Sequence, residues 1–259
     1  GSMDNLKQSF RRFALLTEQA IVANLDDANT REVLKSVDRN VITFGIDTPA
    51  DYHAVHIEEY RPSFFAFDIV EKGVPTAHIR LAVPGRHNIY NALAAYACAA
   101  MFGCTSEQCK SGLEAFRGAG RRFEFLGEVN GVTIADDYAH HPAELEATLT
   151  SAAKMDYRKV WAVFQPFTYS RTQMLLDDFA RVLSIADHVV LTEIMGSREK
   201  AEDYNIRTED LAAKIPGSVC FSTFEEVTDY VMKNAQPGDL VITLGCGDIY
   251  KAAKMMCRS

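Results

Sequence analysis

No cluster of lysines and arginines interrupts the acidic background of this chain: 27 basic residues stand against 35 acidic ones, a formal net charge of −8. The summed field repels a phosphate backbone and nothing local reverses it, so no nucleic acid partner is expected. Long apolar runs are missing too. Stretches such as 92–102 fall well short of the about 20 residues that span a bilayer, and no signal peptide opens the sequence. A cytoplasmic protein without membrane contact is the expectation. None of the six cysteines (Cys98, Cys104, Cys109, Cys220, Cys246, Cys257) forms a C-x-x-C pair, which predicts buried free thiols rather than zinc ligands or a disulfide framework. Absent as well are G-x-S-x-G and G-x-x-x-x-G-K-[ST]. Without the first, a hydrolase built on Ser170 has no nucleophile elbow; without the second, the loop that cradles a triphosphate in P-loop proteins is not in this chain.

What is present suits a folded α/β protein. Apolar residues make up 47% and charged residues 24% of 259 positions, enough for one large domain or two small ones. Gly1-Ser2-Met3 reads as an expression scar, so an excised segment is expected to follow.

From residue 131 the pattern is regular. Strands are predicted over 132–136, 160–164, 188–193, 219–221 and 240–244, and helices over 142–154, 171–185, 208–215, 224–234 and from 248, with a polar loop over 195–205. Pro142 opens the first of these helices and Glu144 and Glu146 follow closely. Continuous apolar strands separated by helices predict a doubly wound, Rossmann-like parallel sheet covered on both faces. Before residue 117 the order is less even: a helix over 6–16, an apolar run over 20–25, a helix over 29–36 and a strand over 41–44. A meander of two or three strands (53–60, 64–71, 76–83) turns at Glu71-Lys72-Gly73, and helices follow over 88–102 and 106–116. Gly118-Ala119-Gly120 marks a junction, giving domains over 4–117 and 118–259.

In an open parallel sheet, ligands bind outside the carboxyl ends of the strands. Four polar clusters fall on that edge: 137–141, 165–172, 197–200 and 245–248. The first belongs to DDYAHHP, residues 136–142. Its adjacent histidines, His140 and His141, point to opposite sides and are poor joint metal ligands, so no metal site is expected. An acid at a strand end can accept from ribose hydroxyls, a tyrosine can lie against a base, and an imidazole can meet an anion. Arg171, near a helix start, adds a planar cation suited to a carboxylate or phosphate. Gly245-Cys246-Gly247 lacks the third glycine of a dinucleotide fingerprint and reads as a tight turn. Asn88 and Asn91, taken alone, read as helix caps.

Together GRHNIYNALAA, GAGRRFEFLG, DDYAHHPAELEATL, FQPFTYSRT, SREK and GCGDIYK resemble the Mur ligases over residues 84–251, and the YSRT block resembles the alanine-adding branch more than the branch that attaches a tripeptide. The resemblance implies a three-domain enzyme. Residues 118–259 would be its complete C-terminal domain and 4–117 the later part of its central ATPase domain; the UDP-binding domain and P-loop are missing. It implies that ATP and Mg²⁺ serve to phosphorylate the lactyl carboxylate of UDP-N-acetylmuramate, after which the amine of L-alanine attacks the acyl phosphate. The Mg²⁺ ligands are not expected among these residues. By the same resemblance Asn88 and Asn91 approach adenine, Arg122 the phosphates, Asp137 the ribose and Tyr138 the nucleotide, while His140 and Arg171 hold the amino acid. Phe167 departs from the family, which commonly has a histidine there, and leaves the choice of amino acid open.

This segment alone is expected to be inactive, with a non-catalytic nucleotide-binding module as the competing reading. A metal-dependent hydrolase on Asp136, Asp137 and the histidine pair is the third. Loss of the P-loop strand and its neighbours predicts an unpaired sheet edge, exposed apolar surface and self-association in the first half.

Overall fold

Ser2 accepts a hydrogen bond from the Asn5 backbone and opens helix α1 (Met3–Leu15). The computed structural model describes residues 2–258, so Gly1 of the supposed scar lies outside them; the chain divides between Arg117 and Gly118 into two compact units. In the first, α1 is followed by β1 (Ile21–Asn24), α2 (Ala28–Leu34), β2 (Val41–Gly45), β3 (Tyr52–Arg61), β4 (Phe64–Glu71), β5 (Val74–Arg80), α3 (His87–Met101) and α4 (Ser106–Ala115). The strands form one sheet in chain order, parallel from β1 to β3 and antiparallel from β3 to β5. The meander therefore has three strands. It turns at Lys72-Gly73, both at positive φ, as the sequence predicts. Phe65, Phe67 and Ile69 alternate inward from β4 and meet Ile89, Leu93 and Tyr96 of α3. Each such side chain contributes about 1.5–3 kcal/mol on burial.

At the carboxyl end of β1, Asp26 ties three segments together. It accepts from the backbone N–H groups of Ile46, Asp47 and Thr48 at 2.6, 3.0 and 2.7 Å and from the Tyr90 hydroxyl at 3.0 Å. Burial alone would raise its carboxyl, but these donors outweigh burial and hold it well below the usual range. Burial, then the same contact, pushes Tyr90 up to about 12. A carboxyl depressed in the folded state stabilises the fold above its ordinary value, and that stability is lost as pH falls toward the depressed one. Unfolding free energy should thus fall below about pH 4, and Asp26→Asn should flatten this acid limb; an unchanged limb in chemical denaturation would refute the assignment.

The second unit contains β6 (Glu124–Val129), β7 (Val132–Asp137), α5 (Pro142–Lys154), β8 (Val160–Phe164), α6 (Tyr169–Met174), α7 (Leu176–Leu183), β9 (His188–Thr192), α8 (Thr208–Ala212), β10 (Val219–Phe221), α9 (Phe224–Asn234), β11 (Leu240–Leu244) and α10 (Tyr250–Met256). The sheet order is β10-β9-β8-β11-β7-β6. All neighbours pair in parallel except β6, which runs antiparallel to β7. That edge strand corrects the expectation of a purely parallel sheet. Its hairpin turn is Asn130-Gly131, both residues at positive φ, a two-residue signal present in the sequence. The helix predicted over 171–185 is two helices. They break at Leu175, and Asp177 and Asp178 supply the acidic first turn of the second. The cysteine expectation holds only partly: all six thiols are free, but Cys109 alone is buried, and Cys98 and Cys104 are exposed.

β8 and β11 are buried at every residue because helices cover both sheet faces. One core packs Leu145 and Leu149 of α5, Phe179 and Leu183 of α7 and Leu211 of α8 against Ala162, Phe164 and Leu244. The other packs Val227 and Val231 of α9 and Ala253 and Met256 of α10 against Ile134, Val163 and Val241. Chain leaving β7, β8 and β9 therefore goes to one face, and chain leaving β10 and β11 goes to the other. Since β11 lies between β7 and β8, the sheet has switch points on both sides of β11, where loops part and a ligand crevice opens.

Candidate functional site

Three loops meet at these switch points. At the end of β7, Asp136 is 1% exposed and fully engaged: Thr243 Oγ1 donates to it at 2.5 Å and Arg121 Nε at 2.8 Å. Asp137, 6% exposed, accepts from the Phe123 and Ala139 backbone N–H groups, each at 2.7 Å. Burial pushes the Asp137 carboxyl up against those donors and the nearby Arg122 guanidinium. The two acids of DDYAHHP are thus both inward-facing parts of the scaffold. For Asp137, only lone pairs left over from the backbone remain for a ligand.

Arg122 lies between two non-glycine residues at positive φ, Arg121 (61°) and Phe123 (46°). This left-handed backbone turns its guanidinium over the Tyr138 ring, 5.4 Å from the centroid. The Tyr138 ring meets His140 edge-on at 5.6 Å. His140 Nδ1 lies 3.0 Å from the Tyr138 carbonyl and 3.3 Å from Glu144 Oε2. Both are acceptors, so Nδ1 carries the proton and Nε2 is the basic nitrogen. His141 does something different: its Nδ1 accepts from the Ala143 backbone N–H and caps α5 in a box completed by Glu144. Burial would raise the Glu144 carboxyl, but the N–H groups of His140 and His141 hold it below its usual range.

After β8, Gln165 Oε1 accepts from the Asp248 N–H at 3.0 Å and links this loop to the one after β11. Phe167 bridges to Met195 and places its ring 6.4 Å from His140. Arg171 lies in the six-residue α6, too short to add much helix dipole. Its Nη1 is buried without a hydrogen-bond partner among the described residues. A buried guanidinium nitrogen left unbonded is costly unless an anion meets it. The Ser170 hydroxyl and N–H both donate to Glu199 of the 197–200 cluster. Gly245 has φ +142°, and a Cβ on Gly247 would lie 2.5 Å from Gln165 Oε1 and Met195 Sδ, so the two glycines serve a tight turn and close packing, as read from sequence.

Asn88 and Asn91 belong to the first unit. The expectation that they cap α3 is corrected: the Asn88 amide donates to the Pro84 carbonyl at 2.7 Å and the Asn91 amide to Asn88 Oδ1 at 2.8 Å. They line one end of an apolar cavity of about 450 Å³ between α3 and α4, with Leu81, Ala95, Leu113 and Phe116. Sequence reading missed Arg121 and Gln165. The Arg121-Arg122 pair is visible in the sequence, but nothing there says which arginine turns inward.

Comparison with known proteins matches residues 1–99 to the Mur ligase middle domain and residues 121–247 to the Mur ligase glutamate ligase domain. The chain belongs to the Mur ligase family. Among its curated relatives is the UDP-N-acetylmuramate–L-alanine ligase of Caldanaerobacter subterraneus subsp. tengcongensis, 41% identical over 98% of this chain and 56% of the relative. The chain thus spans little more than half the length of such relatives. Its fold is similar to that of the UDP-N-acetylmuramate-alanine ligase MurC of Thermotoga maritima, with a TM-score of 0.77 at 23% identity, over 100% of this chain and 55% of that one. The MurF ligase of Thermotoga maritima, solved in complex with ADP, has a TM-score of 0.72 at 14% identity over 100% of this chain and 57% of that one. Among the described residues no helix is long and apolar enough to cross a membrane.

Proposed function

We propose that this chain is the amino-acid-binding part, and a portion of the ATP-binding part, of a cytoplasmic ligase that joins L-alanine to UDP-N-acetylmuramate at the cost of ATP. The relatives' shared name supports the substrate pair, and their greater length supports a sugar-nucleotide domain and triphosphate cradle beyond these residues. The observation that carries the reading is the buried, unpartnered Nη1 of Arg171 at the sheet's switch point. A guanidinium so placed takes the carboxylate of the amino acid in a fork of two hydrogen bonds and orients its amine. Nε2 of His140, fixed as the basic nitrogen, can accept the proton that the ammonium must lose before it attacks.

Arg122 and Tyr138 face the nucleotide, Arg122 toward phosphate oxygens; the remaining lone pairs of Asp137 are the acceptors for a ribose hydroxyl. For Asn88 and Asn91, in the first unit, a role beside the adenine rests on the family resemblance alone. ATP supplies the phosphoryl group that makes the sugar acid's carboxylate reactive. Among the described residues no three His, Cys, Asp or Glu side chains are grouped to hold a metal ion; Mg²⁺ in such ligases would be held through the nucleotide's phosphates with one or two carboxylates. The test is turnover of L-alanine by the intact ligase with and without the Arg171 guanidinium; undiminished turnover without it would refute the reading.

The first unit offers a second consequence. Phe10, Phe13 and Leu16 are more than half exposed along α1, beside the outermost strand β1. The 259-residue chain should self-associate: its mass by light scattering should rise above 28.8 kDa with concentration, and Phe13→Glu should return it to a single chain. A constant monomer mass at all concentrations would remove this reading.

A further inference from the structure

Arg121 takes no part in the mechanism above, yet its guanidinium makes three hydrogen bonds that join two separate segments of the second unit. Nε donates to Asp136 Oδ2 at 2.8 Å, Nη1 to the Gly247 carbonyl at 3.1 Å and Nη2 to the Gly245 carbonyl at 2.6 Å. The Tyr138 and Tyr250 rings flank it, with centroids 5.0 and 4.6 Å away. Its own carbonyl accepts from the Tyr138 N–H at 2.7 Å. The backbone adopts φ +61° at this non-glycine residue to make that reach possible, a strained conformation that the contacts hold in place.

The location explains the need. Pairing between β7 and β11 ends at Asp137 and Leu244, followed by a single bond from Gly245 N–H to the Asp137 carbonyl. Past that point the two loops leave for opposite faces of the sheet, and the carbonyls of residues 245 and 247 have no neighbouring strand to donate to them. Arg121 supplies both donors from one planar fork and so extends the ladder by a side chain. Asp136, held from behind by Thr243, balances its charge. Cys246 lies between the two held carbonyls; burial pushes its thiol up, against the opposing charges of Arg171 and Arg121.

We infer that Arg121 is a positioning residue that sets the width of the crevice, holding the 245–247 loop against the end of β7 beside the Arg171 subsite; its link to amino-acid binding rests on the ligase reading above. Lysine in its place keeps a cation for Asp136, but its donors sit on one nitrogen and cannot reproduce the planar fork that reaches Asp136 and both carbonyls from three. In Arg121→Lys, the rate at which N-ethylmaleimide modifies Cys246, followed by peptide mass spectrometry, should rise about tenfold, and in the intact ligase KM for L-alanine should rise about tenfold while KM for UDP-N-acetylmuramate stays unchanged. A purely structural role would lower the active fraction, and with it kcat, without moving one KM alone.

The pair Arg121→Gln with Asp136→Asn removes both charges together and repeats the test should the lysine variant not fold. An unchanged Cys246 rate overturns the inference, and so does a raised rate with an unchanged KM for L-alanine. Wild-type intact ligase that makes no product from L-alanine would refute the ligase reading instead, and the Cys246 rate would then decide alone whether Arg121 holds the loop.

Discussion

Arg171→Ala in the intact ligase should lower kcat/KM for L-alanine by about 10²–10⁴-fold, because two charge-assisted hydrogen bonds at about 1.5–3 kcal/mol each are lost from the transition state. ADP affinity should stay within about twofold, since Arg122, Asp137 and Tyr138 lie on the β7 side of the crevice and Arg171 follows β8. Arg171→Lys should recover only part of the loss: an ammonium restores charge but not the fork. Steady-state kinetics with varied L-alanine and calorimetry with ADP separate the two terms. Equal losses in both would place Arg171 in the nucleotide site, and no loss in either would remove it from the reaction.

Asp136→Ala should destabilise the second unit by about 3 kcal/mol, near the lower end of what breaking a buried ion pair costs. The partner guanidinium is not fully enclosed, since the Arg121 side chain is 23% exposed and keeps two carbonyl acceptors, which softens the penalty. Trp161, the chain's single tryptophan, is buried in β8 and donates its Nε1–H to Asp239, so its emission follows unfolding of this unit alone. Urea denaturation read at Trp161 should move to a clearly lower midpoint with an unchanged slope. A midpoint equal to wild type would mean that the pair adds nothing to stability.

These residues mark what can and cannot be read in the chain. The parallel core was legible because β8 and β11 are unbroken apolar runs, a pattern that only a sheet covered on both sides favours. β6 was not, because it lies at the edge, half exposed, with a bulge between Phe125 and Gly127 that breaks its alternation. The α6–α7 break escaped because the apolar spacing continues through Leu175 and Leu176. At the site, the convergence of loops followed from topology alone, but the division of labour within each motif did not. Of two adjacent histidines, one caps a helix and one packs edge-on against Tyr138; of two adjacent arginines, one turns inward; of two adjacent acids, both are held by the scaffold. Such distinctions depend on single backbone angles, as at Arg121 and Phe123, which no periodicity encodes.

The placement of β11 carries a mechanical consequence. Two walls of the crevice rest on the layer of α5 and α7, whereas the third, from β11, rests on α9 and α10. The gap between the walls depends on how both helical layers seat on the sheet, not on the strand pairing alone. Repacking Val227 or Val231, deep in a layer that never meets the ligand, would therefore be felt at the rim.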